Sequence, residues 1–328
     1  MKRWLVTGAA GFLGSHVVEA LLAEKAEVHA LDNLSWGHRS FIEANKSKIT
    51  FHEIDIRDKK SLDEVIKGIQ PTHIIHLAAL HFIPAAIRDP SLAIDINVLG
   101  TQNLLQSLRE HSKFEAFWFA STGDVYAPDN KPHHVETSMI APFNIYGLSK
   151  LMGEKIIQLE SKQAPETRFI VGRLFNLYGT RETNPHIVPE ILNQIKKQPG
   201  EITLSLGSIW PKRDMVPVQQ AASSVVKSMN KLSALSPGVT THNFATGKAI
   251  SMEQMIHEIE NLIQRKININ LDQTKVRPVE RSHLEADVSS LRDFIGTTPS
   301  ADLKLGLKAL LEHEGLLPSK LKDLAPGI

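Results

Sequence analysis

The sequence predicts an α/β chain, a doubly wound parallel sheet followed by a smaller C-terminal lobe. Short β-rich runs alternate with helical stretches through the first half, the pattern of a parallel sheet covered on both faces. Those runs end in small, hydroxyl or acidic residues, at the edge where open parallel sheets bind ligands. After about residue 176 the alternation breaks up among Pro185, Pro189, Pro199, Pro211, Pro217 and Pro237. The first unit is expected over residues 1–175 and the second over 176–328, with their segments interlaced.

The first run, Trp4-Leu5-Val6, leads straight into Thr7-Gly8-Ala9-Ala10-Gly11-Phe12-Leu13-Gly14. A helical pattern follows, with Val17, Val18, Leu21 and Leu22 on one face. Gly8 permits a tight turn, Gly11 lets the backbone approach a pyrophosphate, and Gly14 lets the helix pack close to the strand. The N–H groups that open this helix, at Phe12 and Leu13, and the positive end of its dipole suit an anion. Strand, glycine turn and helix in this order predict a dinucleotide-binding, Rossmann-type unit. The second run, 28–31, ends at Asp32, 18 residues beyond Gly14. A carboxylate there accepts hydrogen bonds from a ribose 2′-OH and repels a 2′-phosphate, which favours NAD over NADP. Asn33 follows it, and Arg39 comes only later in the loop.

The third run, 49–54, ends at Asp55, and the fourth, 73–77, at Ala78-Ala79. The fifth, 114–120, ends at Ser121-Thr122, and a sixth spans 168–174. Helices are expected at 187–197, 219–230, 251–265 and 301–314. Apolar residues make up 42% and charged residues 22% of the 328 residues, with a net charge of +1, so nothing argues for a nucleic-acid or membrane surface. The absence of cysteine excludes disulfides, thiolate catalysis and Cys-based metal sites. No apolar run approaches the roughly 20 residues of a membrane span, and with a strand starting at residue 4 no secretory leader is expected. The expectation is a cytoplasmic protein. His73 and His76 face opposite sides of a strand and make a poor metal pair, and no metal site is expected.

Tyr146-Gly147-Leu148-Ser149-Lys150 sets a phenol and an ammonium four residues apart, one turn along a helix. A buried cation beside a phenol lowers its pKa from about 10 toward neutrality, and a positively charged nicotinamide would lower it further. Tyr146 could then act as a general base or acid. Thr122 closes the fifth run, where its hydroxyl can reach the same substrate oxygen.

With these residues the chain resembles the extended short-chain dehydrogenase/reductases of the nucleotide-sugar epimerase/dehydratase group, and within it the UDP-glucose and UDP-GlcNAc 4-epimerases. The matching pieces run over nearly the whole length. Besides those above they include Asp55-Ile56-Arg57, His76-Leu77-Ala78-Ala79, Asn97-Val98-Leu99-Gly100-Thr101, Ser121–Tyr126, Arg173–Gly179, Arg213-Asp214 and Arg277-Pro278. The resemblance implies Tyr146 as catalytic base, Lys150 also on the nicotinamide ribose, and Thr122 as hydroxyl partner. It implies Asp55 and Ile56 at the adenine, with Ala78, Ala79 and Asn97 lining the cofactor. It implies Asn176, Arg213 and Arg277 on the diphosphate of a nucleotide sugar, a UDP-sugar foremost. Glu280 would lie near the substrate's ribose, and Leu204, Ser205 and Leu206 beside its base. His81 stands near a position where some epimerases have Lys. A homodimer through helices near 101–109 and 148–160 is also implied, with burial inside the monomer as the alternative.

The group's shared first step is oxidation at sugar C4. The 4-keto product can be re-reduced on its other face, lose water, or lose CO2. Dehydratases of the group carry Thr-Asp-Glu at the fifth strand's end, and decarboxylases carry Thr-x-Glu. Here the triplet is Thr122-Gly123-Asp124, with glycine at the acid position. This favours a 4-epimerase. Asp124 keeps a UDP-uronic acid decarboxylase or a 4,6-dehydratase as the rival, and a non-catalytic NAD-binding sensor is a further alternative.

Overall fold

Strand β1 (Arg3–Thr7) lies between β2 (Glu27–Asp32) and β4 (His73–His76), and this position makes the site. From β1 the chain steps outward through β2 to β3 (Ile49–Glu53), then crosses back to place β4 on the other side of β1. The crevice at that reversal is where open parallel sheets hold ligands. Beyond β4 come β5 (Ala116–Thr122) and β6 (Arg168–Leu174), and all these pairings are parallel. The computed structural model describes residues 2–276 and 281–318.

After β6 come β7 (Asn176–Tyr178), β8 (Ile202–Leu206), β9 (Lys212–Pro217) and β10 (Gly238–Phe244). Strand β10 pairs with β6 and completes a seven-stranded parallel sheet in the order β10-β6-β5-β4-β1-β2-β3. The remaining strands, β11 (Ala249–Ser251), β12 (Ile267–Leu271) and β13 (His283–Leu284), build two small sheets. One joins β8 to β12, and the other gathers β7, β11 and β13 around β9.

The four later helices form over Ile187–Lys196, Val218–Asn230, Met252–Ile263 and Leu303–His313. The second of them packs against the main sheet's first helix. Val218, Ala221, Val225 and Met229 share a buried core with Val17, Val18 and Leu21 of Phe12–Ala23. The other three cover the small sheets, packing Ile191, Met255, Ile259, Leu307 and Leu311 around Leu204 of β8 in one buried core. Truncating one of these fully buried Leu or Ile side chains to Ala costs about 2–5 kcal/mol. Local chemistry sets the ends of Met252–Ile263. Ser251 and Gln254 form a reciprocal capping box, and Gln264 closes the helix in the left-handed region at φ 54°. Among the described residues no helix is long and apolar enough to cross a membrane.

Candidate active site

A cleft of about 1170 Å³ opens over the carboxyl ends of β1, β2, β4 and β5. Its floor is the glycine turn. Gly8 has φ +70°, and a Cβ there would lie 2.7 Å from the Ala78 nitrogen. A Cβ on Gly14 would lie 2.0 Å from the Gly8 carbonyl oxygen. Strand, helix and the Ala78-Ala79 loop therefore meet at a distance that only glycine allows. Thr7 ties the layers together, contacting His76 Nδ1 through its hydroxyl at 2.7 Å and accepting from the Ala78 N–H at 3.3 Å. The helix Phe12–Ala23 starts after Gly11 with no side-chain cap. Its first N–H groups, at Phe12 and Leu13, stand at the cleft wall without an intrahelical acceptor, a cradle for a pyrophosphate.

Asp32 is buried at one end of this floor and accepts from the N–H groups of Ala10 at 2.9 Å and Leu34 at 2.8 Å. Burial raises its pKa, and the backbone donors hold it in the ionised form. Its remaining lone pairs suit ribose hydroxyls. Asn33 donates to Asp55 at 2.7 Å, and the Arg57 guanidinium holds the Asp55 carboxyl down to about 2. Ile56 supplies an apolar wall beside it. Arg39 pairs with Glu53 and lies 4.9 Å over the Phe51 ring, so the loop's cation is turned away from a 2′-phosphate. These residues fit NAD: a cradle for the diphosphate, a carboxylate for a free ribose and an apolar slot for the base.

The proton-handling residues stand across the cleft on the helix Ile145–Gln163. Asn144 caps it by accepting from Gly147 N–H at 2.8 Å. A Cβ on Gly147 would come within 2.4 Å of the Asp124 carbonyl, so the helix start presses on the turn after β5. That contact brings Tyr146 to Thr122, which hydrogen-bonds the phenol. The Thr122 oxygen already accepts from the Asp124 N–H at 3.2 Å, which leaves its own hydroxyl hydrogen for the Tyr146 oxygen. Lys150, one turn on, is 2% exposed with its ammonium 5.0 Å from the Phe119 ring centre.

Electrostatics here depart from the expectation that the ammonium acidifies the phenol. Burial and the Asp124 carboxylate push Tyr146 above its ordinary range, and only the Thr122 hydrogen bond works the other way. Burial brings Lys150 down to about 7. Sequence reading did not anticipate the apolar cluster of Leu80, Ala85, Ala86 and Ala93, against which Tyr146 packs together with Trp36, Phe82 and Ile145.

The structure brings Gly8, Gly11, Phe12, Leu13, Gly14, Asp32, Asn33, Asp55, Ile56, Ala78, Ala79, Thr122, Tyr146 and Lys150 to one cleft. His81, Asp124, Asn176 and Arg213 line it as well. Asn97 and Leu204 stand elsewhere. Asn97 is buried behind the wall, where it accepts from Leu80 N–H at 2.7 Å and donates to Ser149 Oγ at 2.9 Å. Its side chain ties the loop after β4 to the helix Ile145–Gln163. Leu204 is fully buried in the second lobe, because alternate residues of β8 point into that core. Arg277 and Glu280 lie outside the described residues. Among the charged and imidazole side chains of the cleft, sequence reading did not single out Glu182, His186 or Arg281. Glu182 and His186 follow within seven residues of the Arg173–Gly179 piece, on either side of Pro185, and that adjacency is the signal that could have found them. Arg281 donates to the carbonyls of Tyr126 at 2.6 Å and Ala127 at 2.7 Å, and its Nη1 lies 3.7 Å from the Asp124 carboxylate.

Residues 4–241 match the NAD dependent epimerase/dehydratase family. The chain is 30% identical over 310 residues to a putative UDP-glucose 4-epimerase of Methanocaldococcus jannaschii, covering 94% of this chain and 96% of that one. It is 28% identical over 316 residues to the GDP-6-deoxy-D-mannose reductase of Pseudomonas aeruginosa, again covering 94% and 96%. The crystal structure of the Thermus thermophilus UDP-glucose 4-epimerase in complex with NAD superimposes with a TM-score of 0.82 at 27% identity, covering 95% of this chain and 99% of that one.

Proposed function

The chain belongs to the NAD dependent epimerase/dehydratase family, and from that premise we propose that it is a nucleotide-sugar 4-epimerase working through a transient 4-keto sugar. The carrying observation is the Thr122–Tyr146 hydrogen bond with Lys150 one turn away, facing the glycine cradle across one cleft. A relative of this family that only sensed NAD would not need that proton relay.

NAD, when bound, supplies the hydride acceptor at sugar C4 and the donor that returns it. Tyr146 takes the proton of the C4 hydroxyl as the carbonyl forms, and returns it when C4 is reduced on its other face. Thr122 holds the same oxygen in line. Lys150, one turn along the helix, holds the nicotinamide ribose. Asn176 and Arg213 grip the diphosphate, a task for which a guanidinium is suited.

The dehydratase reading meets a steric fact. A Cβ at position 123 would lie 3.1 Å from the Phe175 ring, so the position that carries the acid in dehydratases is here a glycine packed tightly on Phe175. Asp124, the other candidate, is held beside Arg281. We also propose that the protein works as a homodimer in the cytoplasm, with a UDP-sugar as its foremost substrate. The test is incubation with UDP-, GDP-, CDP- and dTDP-sugars, with C4 configuration followed by NMR. Interconversion at C4 is expected for at least one. Carbon dioxide release from a UDP-uronic acid, or a 4-keto-6-deoxy product, would assign the chemistry to the rivals.

A further inference from the structure

We propose that His81, Glu182 and His186 form a binding site for one divalent transition-metal ion of the zinc class, in the wall of the cleft. A ligand atom of each residue lies within 4.8 Å of the other two. All three line the cleft. They come from two separate segments, the loop after β4 and the stretch after β7, so sequence spacing alone does not reveal the set.

The two rings stand close together, and their neighbours hold them in place. Their planes differ by 9° with centroids 6.5 Å apart, and the edge of Phe82 against His186, at 5.3 Å, fixes the second ring. His81 is hydrogen-bonded to the Ala79 backbone, the kind of second contact that orients a ligating imidazole. Its Nε2 lone pair is marked by the Asn184 amide, which donates to it at 2.7 Å. An incoming ion takes that lone pair and turns Asn184 aside.

The donor chemistry selects the metal. Two imidazole nitrogens and one carboxylate are the set of a zinc site with an open position. Magnesium and calcium require oxygen ligands in larger number. Nitrogen donors favour zinc, cobalt, nickel and copper. Ligands around a tetrahedral ion at about 2.0–2.2 Å stand roughly 3.5 Å apart. The three side chains need only draw in by about an ångström, a rotamer adjustment. A second cluster, Asp63, Glu110 and His111, lacks this character because its two carboxylates already share Lys59. One ion at the first site would tie the loop after β4 to the segment after β7 and leave its open position toward the cleft.

The probe is Co2+, added to the full chain after chelator treatment and dialysis. Saturable binding of one ion per chain is expected, with visible ligand-field absorption that Zn2+ abolishes by displacement. Glu182→Gln and His186→Ala should each weaken Co2+ binding by about 10-fold or more. Asp63→Asn should leave it unchanged. Circular dichroism establishes that the variants are folded, and Glu182→Gln, nearly isosteric, remains informative if His186→Ala does not fold. No saturable absorption up to about 1 mM Co2+, or binding that both ligand variants leave within about twofold of wild type, would overturn the site. Neither readout depends on turnover, so failure here is separate from failure of the epimerase reading.

Discussion

Tyr146 and Lys150 are held in opposite wrong states by the same burial. The phenol is harder to ionise than in water and the ammonium, at about 7, easier to discharge. A proton leaves Tyr146 only when positive charge gathers beside it, which confines the chemistry to the assembled site. Tyr146→Phe removes the proton carrier and keeps the ring that packs on Phe82. C4 interconversion should fall by about 10²–10⁴-fold, with NAD still retained. Unaltered turnover by NMR would transfer the base role to another group. Lys150 also sets a pH dependence of stability. Its folded pKa lies below its unfolded value of 10.5, so the unfolded chain binds more protons between those values and stability rises with pH there. Lys150→Met removes that penalty. The variant should be more stable than wild type at pH 6, by on the order of 5 kcal/mol, with the gap closing as pH approaches about 10. Urea melts at several pH values read this directly, and a gap constant with pH would mean Lys150 titrates normally. At the ribose, Asp32→Ala should weaken NAD and raise relative NADP binding by about 10-fold or more, read by fluorescence titration. An unchanged preference would locate the discrimination elsewhere.

Between elements, the helix Ile145–Gln163 is locked to the sheet by one buried ion pair. Glu154 accepts from Arg173 on β6 at 2.8 and 3.0 Å and from Ser121 on β5, and Arg173 continues to Tyr126 at 3.0 Å. Glu154→Ala strands the guanidinium in the interior and should cost about 3–5 kcal/mol, measured by chemical denaturation. A loss under about 1 kcal/mol would show that water or a shifted side chain relieves Arg173. The six strands through β6 were legible because each is an apolar run ending at a polar ligand edge. Strand β10 was not, since Gly-Val-Thr-Thr-His-Asn-Phe reads as polar and only its last three residues are buried. As an edge strand it needs no continuous apolar pattern. Its ladder with β6 is a long-range pairing invisible in local sequence.

Across the whole molecule, what the sequence disclosed of the site is what one chain segment encodes. The glycine turn, Asp32 and the Tyr146–Lys150 spacing each lie within a single strand–loop–helix. What it hid is what two distant segments make together: the apolar wall around Tyr146, the set His81–Glu182–His186, and Arg281 on the β5 turn. Leu204 misled because a position near a ligand and a position in the core look alike in β8, whose residues alternate between them. The same reasoning applies to assembly, where surface pattern must decide. Leu148, Met152 and Leu159 occupy one stripe of the helix Ile145–Gln163 and are 42%, 38% and 59% exposed. On the helix Thr101–His111 burial within the monomer is what occurs, with Leu104, Leu105 and Leu108 fully buried, whereas Leu148, Met152 and Leu159 stay exposed. A stripe of three large apolar side chains on the outer face is unusual for a surface that stays wet, because isolated exposed leucines are ordinary but contiguous ones mark contacts. Two copies related by a two-fold would pair this stripe with itself. Introducing two carboxylates, Met152→Glu with Leu159→Glu, places like charges opposite one another in that pairing while touching no cleft residue. Light scattering at micromolar concentration should give a dimer for the wild type and a monomer for the double variant, with NAD binding retained. A wild type that scatters as a monomer would leave the stripe without this partner.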